Sequence, residues 1–131
     1  MERKAHWLKI LSNRSMRTNV IAKLEIEGLH CWPEAQTVFP EVGFLSNMHR
    51  HKWHITAKKR VNHDDRDVEF IMFKRDILEY LHRIYYNSSS RTHEFGSKSC
   101  EMLANELMKE FGCCYVSVFE DNENGAEVYL S

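Results

Sequence analysis

The sequence predicts one α+β domain whose elements follow the order β-β-α-α-β-β. Two observations support this fold class. Toward both ends of the chain, segments with extended-backbone character are bounded by turn residues, as expected for half-buried strands. Between them lie two longer segments in which apolar residues recur every three or four positions, as on one face of a helix. At 131 residues, the chain is long enough to bury a core without disulfides.

The composition is that of an ordinary globular protein, with 43% hydrophobic and 28% charged residues. The formal net charge of −1 gives no electrostatic reason to expect a nucleic acid or an acidic membrane as partner. No apolar run is long enough to cross a bilayer, and the N-terminal residues lack a signal-peptide cleavage site. The four cysteines form no CxxC pair, so we expect a reducing, cytoplasmic location.

Residues 1–18 are basic and carry Trp7, Leu8 and Leu11 at helical spacing. They predict a short helix or an arm that contacts another subunit. A tag remnant or a frayed end would fit the same residues. The folded domain is therefore expected to span residues 19–131.

The first half of the domain predicts two strands joined by a long loop. Residues 19–30 form the first strand, because Leu24 and Ile26 alternate with Glu25 and Glu27. Prolines and a glycine interrupt the segment 31–48, which predicts a loop of the length often found at functional sites. Residues 49–61 form the second strand, and a cluster of turn residues follows at 62–65.

The second half predicts two helices and a closing hairpin. Residues 68–86 carry an apolar stripe at helical spacing, and residues 87–97 form a polar loop. Residues 99–111 form the second helix, which Gly112 ends. The last two strands, 113–120 and 126–130, flank a turn in which Asn124-Gly125 supplies positive φ.

The stretch 48–54, MHRHKWH, holds three of the chain's eight histidines. On a strand, His49 and His51 point to the same face, so both imidazoles can bind one ion. His30 ends the first strand and lies beside them if the two strands pair. Three protein ligands and one open position are what a catalytic zinc site needs. Solvent-exposed imidazoles or a pH-sensing cluster are the alternatives.

Four short motifs in this order resemble those of the 6-pyruvoyl-tetrahydropterin synthase and 6-carboxytetrahydropterin synthase family. They are His49-Arg50-His51-Lys52-Trp53 for the family's His-Gly-His, Lys98 to Ala104 for its Pro-Thr-x-Glu-x-x-Ala helix start, Val116 to Glu120 for its glutamate-ending strand, and Gly125 to Tyr129 for its closing strand. The resemblance covers roughly residues 19–130.

The resemblance implies a tunnelling fold, in which an antiparallel sheet carries two helices on one face and sheets join edge to edge into an oligomeric barrel. It implies a homo-oligomer, a trimer or hexamer, with sites at subunit interfaces. It also implies zinc on His30, His49 and His51. Glu120 would accept two parallel N–H bonds from a pterin or purine-like ligand.

Further site residues follow from the resemblance, and each has a simpler alternative. Glu101 would contact substrate or simply stabilise a helix N-terminus, and Trp32 would stack on a heterocycle or shape the loop. The family's proton-abstracting cysteine is replaced by Leu45. Cys31 is the candidate displaced thiol, or a buried structural cysteine. His93 is the candidate for the family's relay histidine, or a solvated loop residue.

Three functions remain as hypotheses. The first is a zinc-dependent lyase of this family type with altered acid–base residues. The second is a non-catalytic protein of the same fold that binds a pterin or a purine nucleotide. The third is a structural or regulatory interaction protein. Three imidazoles suit several divalent ions, so the identity of the metal is open at this point.

Overall fold

A computed structural model describes residues 16–131 and shows an α+β fold with one six-stranded sheet. The strands are β1 (Thr18–His30), β2 (His49–Val61), β3 (Tyr86–Asn87), β4 (Thr92–Glu94), β5 (Tyr115–Glu120) and β6 (Asn124–Tyr129). The helices are α1 (Ala35–Val38), α2 (Phe70–Tyr85) and α3 (Cys100–Phe111), with a 3₁₀ segment at Pro40–Ser46. The predicted N-terminal arm lies outside the described residues, apart from the three residues 16–18.

The sheet has the strand order β3-β4-β1-β2-β5-β6 and is built on a long antiparallel pair. β1 and β2 each have 13 residues and pair along their whole length, from Thr18 opposite Val61 to His30 opposite His49. The predicted bounds of β2 are confirmed, and β1 begins one residue earlier than predicted. The pairing brings the ends of the two strands side by side, as the metal-site hypothesis requires.

One face of the sheet is buried under α2 and α3. The apolar stripe predicted for α2 is buried at Phe73, Ile77 and Leu81, and α3 buries Leu103 and Leu107. These side chains form one cluster with the sheet residues Ala22, Leu24, Ile26, Trp53, Ile55, Ala57, Val116 and Val118. The core is therefore a two-layer arrangement, with both helices on the same face.

The opposite face of the β1–β2 pair carries polar and charged residues. His54 lies within 3.4 Å of Glu25, and Arg50 pairs with Glu27 at 3.1 Å on this face. Within residues 16–131, no helix is long and apolar enough to span a membrane.

Two predicted loops contain regular structure. The segment 31–48 forms α1 and the 3₁₀ segment, which begins at Pro40 because proline suits the first turn of a helix. The segment 87–97 contains the short β3–β4 hairpin, and β4 pairs parallel to β1, with Gly28 opposite His93. The sheet is therefore not wholly antiparallel. These short elements lack the periodicity that identifies long ones.

The closing turn lies within the predicted segment 121–125, but its positive φ angles fall three residues earlier than predicted. Asp121 and Asn122 have φ of 54° and 55°, and the Glu123 amide donates to the Glu120 carbonyl. Gly125 is instead a strand residue of β6 that pairs with Phe119. A Cβ on Gly125 would collide with the Val118 carbonyl and the Phe119 backbone, so the glycine is needed for close strand approach.

A half-buried polar cluster joins α2, α3 and the segment before α3. The Glu106 carboxylate accepts hydrogen bonds from Tyr80 at 2.9 Å, Tyr85 at 2.7 Å and the Lys98 ammonium at 2.7 Å. Burial acts to raise the pKa of Glu106, but these three donors together lower it. The pKa of Tyr80 is raised to about 12 by burial and by its bond to this carboxylate.

We expect Glu106→Gln to lower the free energy of unfolding at pH 7 by about 1–3 kcal/mol, because the amide cannot replace a charged acceptor of three bonds. The pKa of Glu106 is lower in the folded chain, so its contribution is complete above the unfolded pKa of about 4.3. That contribution disappears as the pH falls through the folded-state pKa.

Urea unfolding at several pH values measures this difference. The difference in the free energy of unfolding between Glu106→Gln and the wild type should become smaller below about pH 4. Glu110→Gln, at an exposed position of the same helix, serves as the control and should change little. A difference that does not depend on pH would contradict the conclusion that the ionised Glu106 carboxylate stabilises the fold.

Candidate metal centre and adjoining cavity

Three histidines meet at the end of the β1–β2 pair. His30 lies directly opposite His49, and His51 lies opposite Gly28, so all three side chains project from the helix-covered face. The ligand atoms of the three imidazoles lie within 4.8 Å of one another. The predicted group of three histidines is thus confirmed as one that can hold a metal ion.

Each imidazole is oriented by a hydrogen bond from its Nδ1 atom. His30 Nδ1 donates to the Lys98 carbonyl at 2.8 Å, and His49 Nδ1 donates to the Asn47 carbonyl at 2.7 Å. His51 Nδ1 donates to the Asp121 carboxylate at 2.7 Å. Because these acceptors require a proton on Nδ1, the Nε2 atoms of the neutral rings carry the free lone pairs. This arrangement is typical of metal-binding histidines.

Two of these nitrogens lack a hydrogen bond. Nε2 of His30 and Nε2 of His51 are buried and make no hydrogen bond with any described residue. A buried polar atom without a partner costs free energy, so it needs a compensating ligand. A divalent ion bound to three nitrogens would supply that ligand, and the donor set therefore fits a metal such as zinc.

Trp53 forms the floor beneath the cluster. The indole is fully buried and lies edge-on to His30, with ring centroids 4.7 Å apart. The indole Nε1 donates to the Gly28 carbonyl at 3.0 Å. A side chain at Gly28 would collide with the ring of Phe95 and crowd this indole. The absence of a side chain at Gly28 therefore leaves room for the indole below the imidazoles.

Glu120 lies next to the cluster because β5 pairs with β2 and places it opposite Trp53. One oxygen, Oε1, is 3.2 Å from His30 Nε2, and the other, Oε2, is 3.1 Å from His51 Nε2. When it is protonated, His30 lowers the pKa of the neighbouring Glu120 carboxyl, while burial opposes that change. Burial acts to lower the pKa of His30, but Glu120 and the Lys98 carbonyl together raise it.

A cavity of about 490 Å³ opens beside the histidines. Its lining includes predicted site residues from four different segments: His30, Cys31, Trp32, His49, Glu101 and Glu120. Leu45, which stands in the place of the family's cysteine, also lines it. A cavity of this size can enclose a small heterocycle. The structure thus brings six of the eight predicted site residues to one cavity, and His51 contacts the cavity residue Glu120.

His93 lies apart from this cavity. Its ring is stacked parallel to that of Phe95, with centroids 6.0 Å apart, and its Nδ1 donates to the Glu27 carbonyl at 3.0 Å. Phe95 in turn packs against Trp53. Burial lowers the pKa of His93. The described chain therefore separates His93 from the three imidazoles by an aromatic ring.

Two residues near the centre were not among the predicted ones. Asp121 was assigned to a turn, yet its Oδ1 accepts the Lys52 amide at 2.9 Å while its Oδ2 holds His51. Cys100 points its thiol at Glu120 Oε1 over 3.6 Å. Burial, with Glu120, raises the pKa of the Cys100 thiol to about 12. The pairing of β2 with β5 places Asp121 beside β2, and the packing of α3 against β5 places Cys100 beside Glu120. Neither arrangement has a signal in the local sequence.

Comparison with known proteins supports the fold and no particular function. No protein-family model matches the chain, and a search of curated proteins finds no match. Among solved structures, the crystal structure of an uncharacterized protein from Wolinella succinogenes matches with a TM-score of 0.54 and 13% sequence identity. The match covers 89% of this chain and 100% of that one. At this identity the likeness concerns the fold alone.

We expect Asp121→Asn to weaken metal binding by about 10–100-fold, because the amide is a poorer acceptor for the His51 Nδ1 proton. Asparagine also tolerates the positive φ at this position, so the turn should be kept. Competition with a chromogenic chelator measures the affinity. Asp76→Asn, at an exposed position of α2, is the matched control. Equal affinities for the two variants would contradict this role of Asp121.

Proposed function

We propose that the chain is a zinc-dependent enzyme of the 6-pyruvoyl-tetrahydropterin synthase or 6-carboxytetrahydropterin synthase type, which acts on a pterin or a purine-derived small molecule. One observation supports this proposal above the others. Three imidazole nitrogens converge where a cavity also exposes the carboxylate of Glu120. A candidate metal site and a carboxylate that can accept two N–H bonds from the N–C–N edge of a pterin or purine ring thus lie at the same cavity.

Zinc is the proposed ion because three neutral imidazoles with one open position are typical of catalytic zinc sites. His30, His49 and His51 would hold it. When bound, the ion would polarise a hydroxyl or carbonyl oxygen of the substrate side chain.

The cavity walls supply the proposed recognition of the heterocycle. The Glu120 carboxylate can accept two parallel N–H bonds from the N–C–N edge of a pterin. Trp32 lines the same cavity, and its amide is fixed by a 2.7 Å bond to the Leu45 carbonyl. Its indole can stack on a flat ring. Glu101 is exposed at the cavity wall and has the weakest geometric support of the three.

Cys31 is the better placed of the two proposed acid–base residues. It lines the cavity and follows the metal ligand His30 directly in the chain. A general base must come within hydrogen-bond reach of the proton it removes. His93 does not line the cavity, so we assign the proton transfer to Cys31 first.

Binding without turnover is the second candidate function, and Leu45 favours it. An apolar side chain lines the cavity where the family carries its cysteine. The thiol of Cys100 cannot replace that cysteine, because its pKa is raised to about 12 and the reactive form is the thiolate. The same cavity would then hold an unchanged heterocycle.

We also propose the tunnelling-fold oligomer, a trimer or hexamer. β6 is the last strand of the described sheet and has a neighbour on one side only. Tyr129 and Leu130 at its end are 60% and 69% exposed. An unpaired strand edge with exposed apolar residues is suited to pairing with another subunit. Light scattering of the purified protein tests the assembly.

The decisive experiment combines metal analysis with a turnover assay. We expect about one zinc per chain in the wild type, and conversion of dihydroneopterin triphosphate by the loaded protein. His49→Ala and His51→Ala should each lose the metal while they keep the circular dichroism spectrum of the wild type. His54→Ala, on the opposite face of the same strand, should keep the metal.

The outcomes separate the candidate functions. A zinc-loaded protein that binds the pterin but leaves it unchanged would favour the binding protein. A wild type that takes up no zinc, even when zinc is added, would contradict the metal site itself.

A further inference from the structure

Glu120 occupies an unusual position for a residue that would only bind a heterocycle. Each of its two oxygens faces a different metal ligand, at 3.2 Å from His30 Nε2 and 3.1 Å from His51 Nε2. Its remaining polar contact is the Cys100 thiol at 3.6 Å from Oε1. The carboxylate is therefore part of the histidine cluster rather than only of the cavity wall.

These short contacts are not ordinary hydrogen bonds. The Nδ1 protons of His30 and His51 are donated to Lys98 and Asp121, so Nε2 of each neutral ring has a lone pair and no proton. At this distance a carboxylate oxygen and an unprotonated imidazole nitrogen repel each other unless both bind one cation, and a proton does not fill that role here because no hydrogen bond forms between Nε2 and the oxygen. Both Nε2 atoms indeed lack a hydrogen-bond partner among the described residues.

The two nitrogen–oxygen distances at Glu120 match the distance expected between two ligands of one ion. With metal–ligand bonds of about 2.0–2.1 Å, the ligand atoms of a tetrahedral zinc site lie about 3.3–3.4 Å apart. The two nitrogen–oxygen distances of 3.1 and 3.2 Å are close to that value. Carboxylate oxygens are also ordinary zinc ligands beside histidine.

We propose that Glu120 is the fourth ligand of the metal when the cavity is empty. The inference rests on the metal site of the proposed function but not on the identity of its substrate. Other polar groups of the cavity are less suited to this role. Glu101 is exposed in the first turn of α3, and Cys100 directs its thiol at Glu120 itself.

The proposal gives Glu120 two roles that exclude each other. A carboxylate needs both oxygens to accept the two N–H groups of an N–C–N edge. Here both oxygens face the histidines, so Glu120 has to turn away from the metal centre to present them to a heterocycle. An entering heterocycle would therefore draw Glu120 away and open the fourth position.

Cobalt(II) in place of zinc makes the coordination visible. We expect cobalt-loaded wild type and Glu101→Gln to share one visible absorption spectrum, and Glu120→Gln to show a different one. Chelator competition should show a loss of about 10–100-fold in metal affinity for Glu120→Gln. Glu120→Ala should behave in the same way, which guards against coordination through the glutamine amide.

Azide tests whether the fourth position is closed. Azide at millimolar concentration should leave the cobalt spectrum of the wild type unchanged and should alter that of Glu120→Gln, where water holds the position. The same spectrum, affinity and azide response in wild type and Glu120→Gln would overturn the proposal and leave the three-histidine site standing. A wild type that takes up no cobalt or zinc would overturn both this proposal and the proposed function.

Discussion

The register between β1 and β2 determines almost everything else in this molecule. Directly paired residues of neighbouring strands point to the same face of the sheet, and a slip of one residue moves every side chain of the slipped strand to the other face. With His30 opposite His49, the buried residues of both strands meet the helices, and the imidazoles meet one another. A one-residue slip would place Trp53 in solvent and separate His30 from its two partners. The core and the metal centre therefore depend on the same register.

The long elements could be predicted because each carries a regular pattern. The 13 residues of β2 alternate as strand residues do. On α2 the apolar stripe has the helical period, with Phe73, Ile77 and Leu81 buried. The short β3 and β4 could not be predicted, because two or three residues carry no period and β4 is fixed by its pairing with β1. In the turn before β6, positive φ was predicted at the wrong residues because Asn-Gly is a strong local signal. Here close packing, rather than the turn, requires Gly125.

The candidate site was predictable to the extent that it lies on patterned strands. His49 and His51 could be predicted as a ligand pair because they occupy alternate positions of one strand, and His30 joins them because two strand ends coincide. Asp121 and Cys100 could not be predicted, since their roles arise from contacts between segments distant in the chain. The groups that accept the histidine Nδ1 protons could not be predicted either. Lys98 and Asn47 act through backbone carbonyls, and a sequence contains no sign of which carbonyl faces an imidazole.

The turn at Asp121 joins the metal centre to the edge of the sheet. Its backbone begins the reversal between β5 and β6, while its carboxylate holds both His51 and the Lys52 amide. Tightening of His51 on an ion would thus also restrain the closing hairpin, which presents the outermost strand. Amide protons of β6 should then exchange more slowly in the metal-loaded protein. Filling of the centre would in this way stiffen the strand edge at which the proposed oligomer would form.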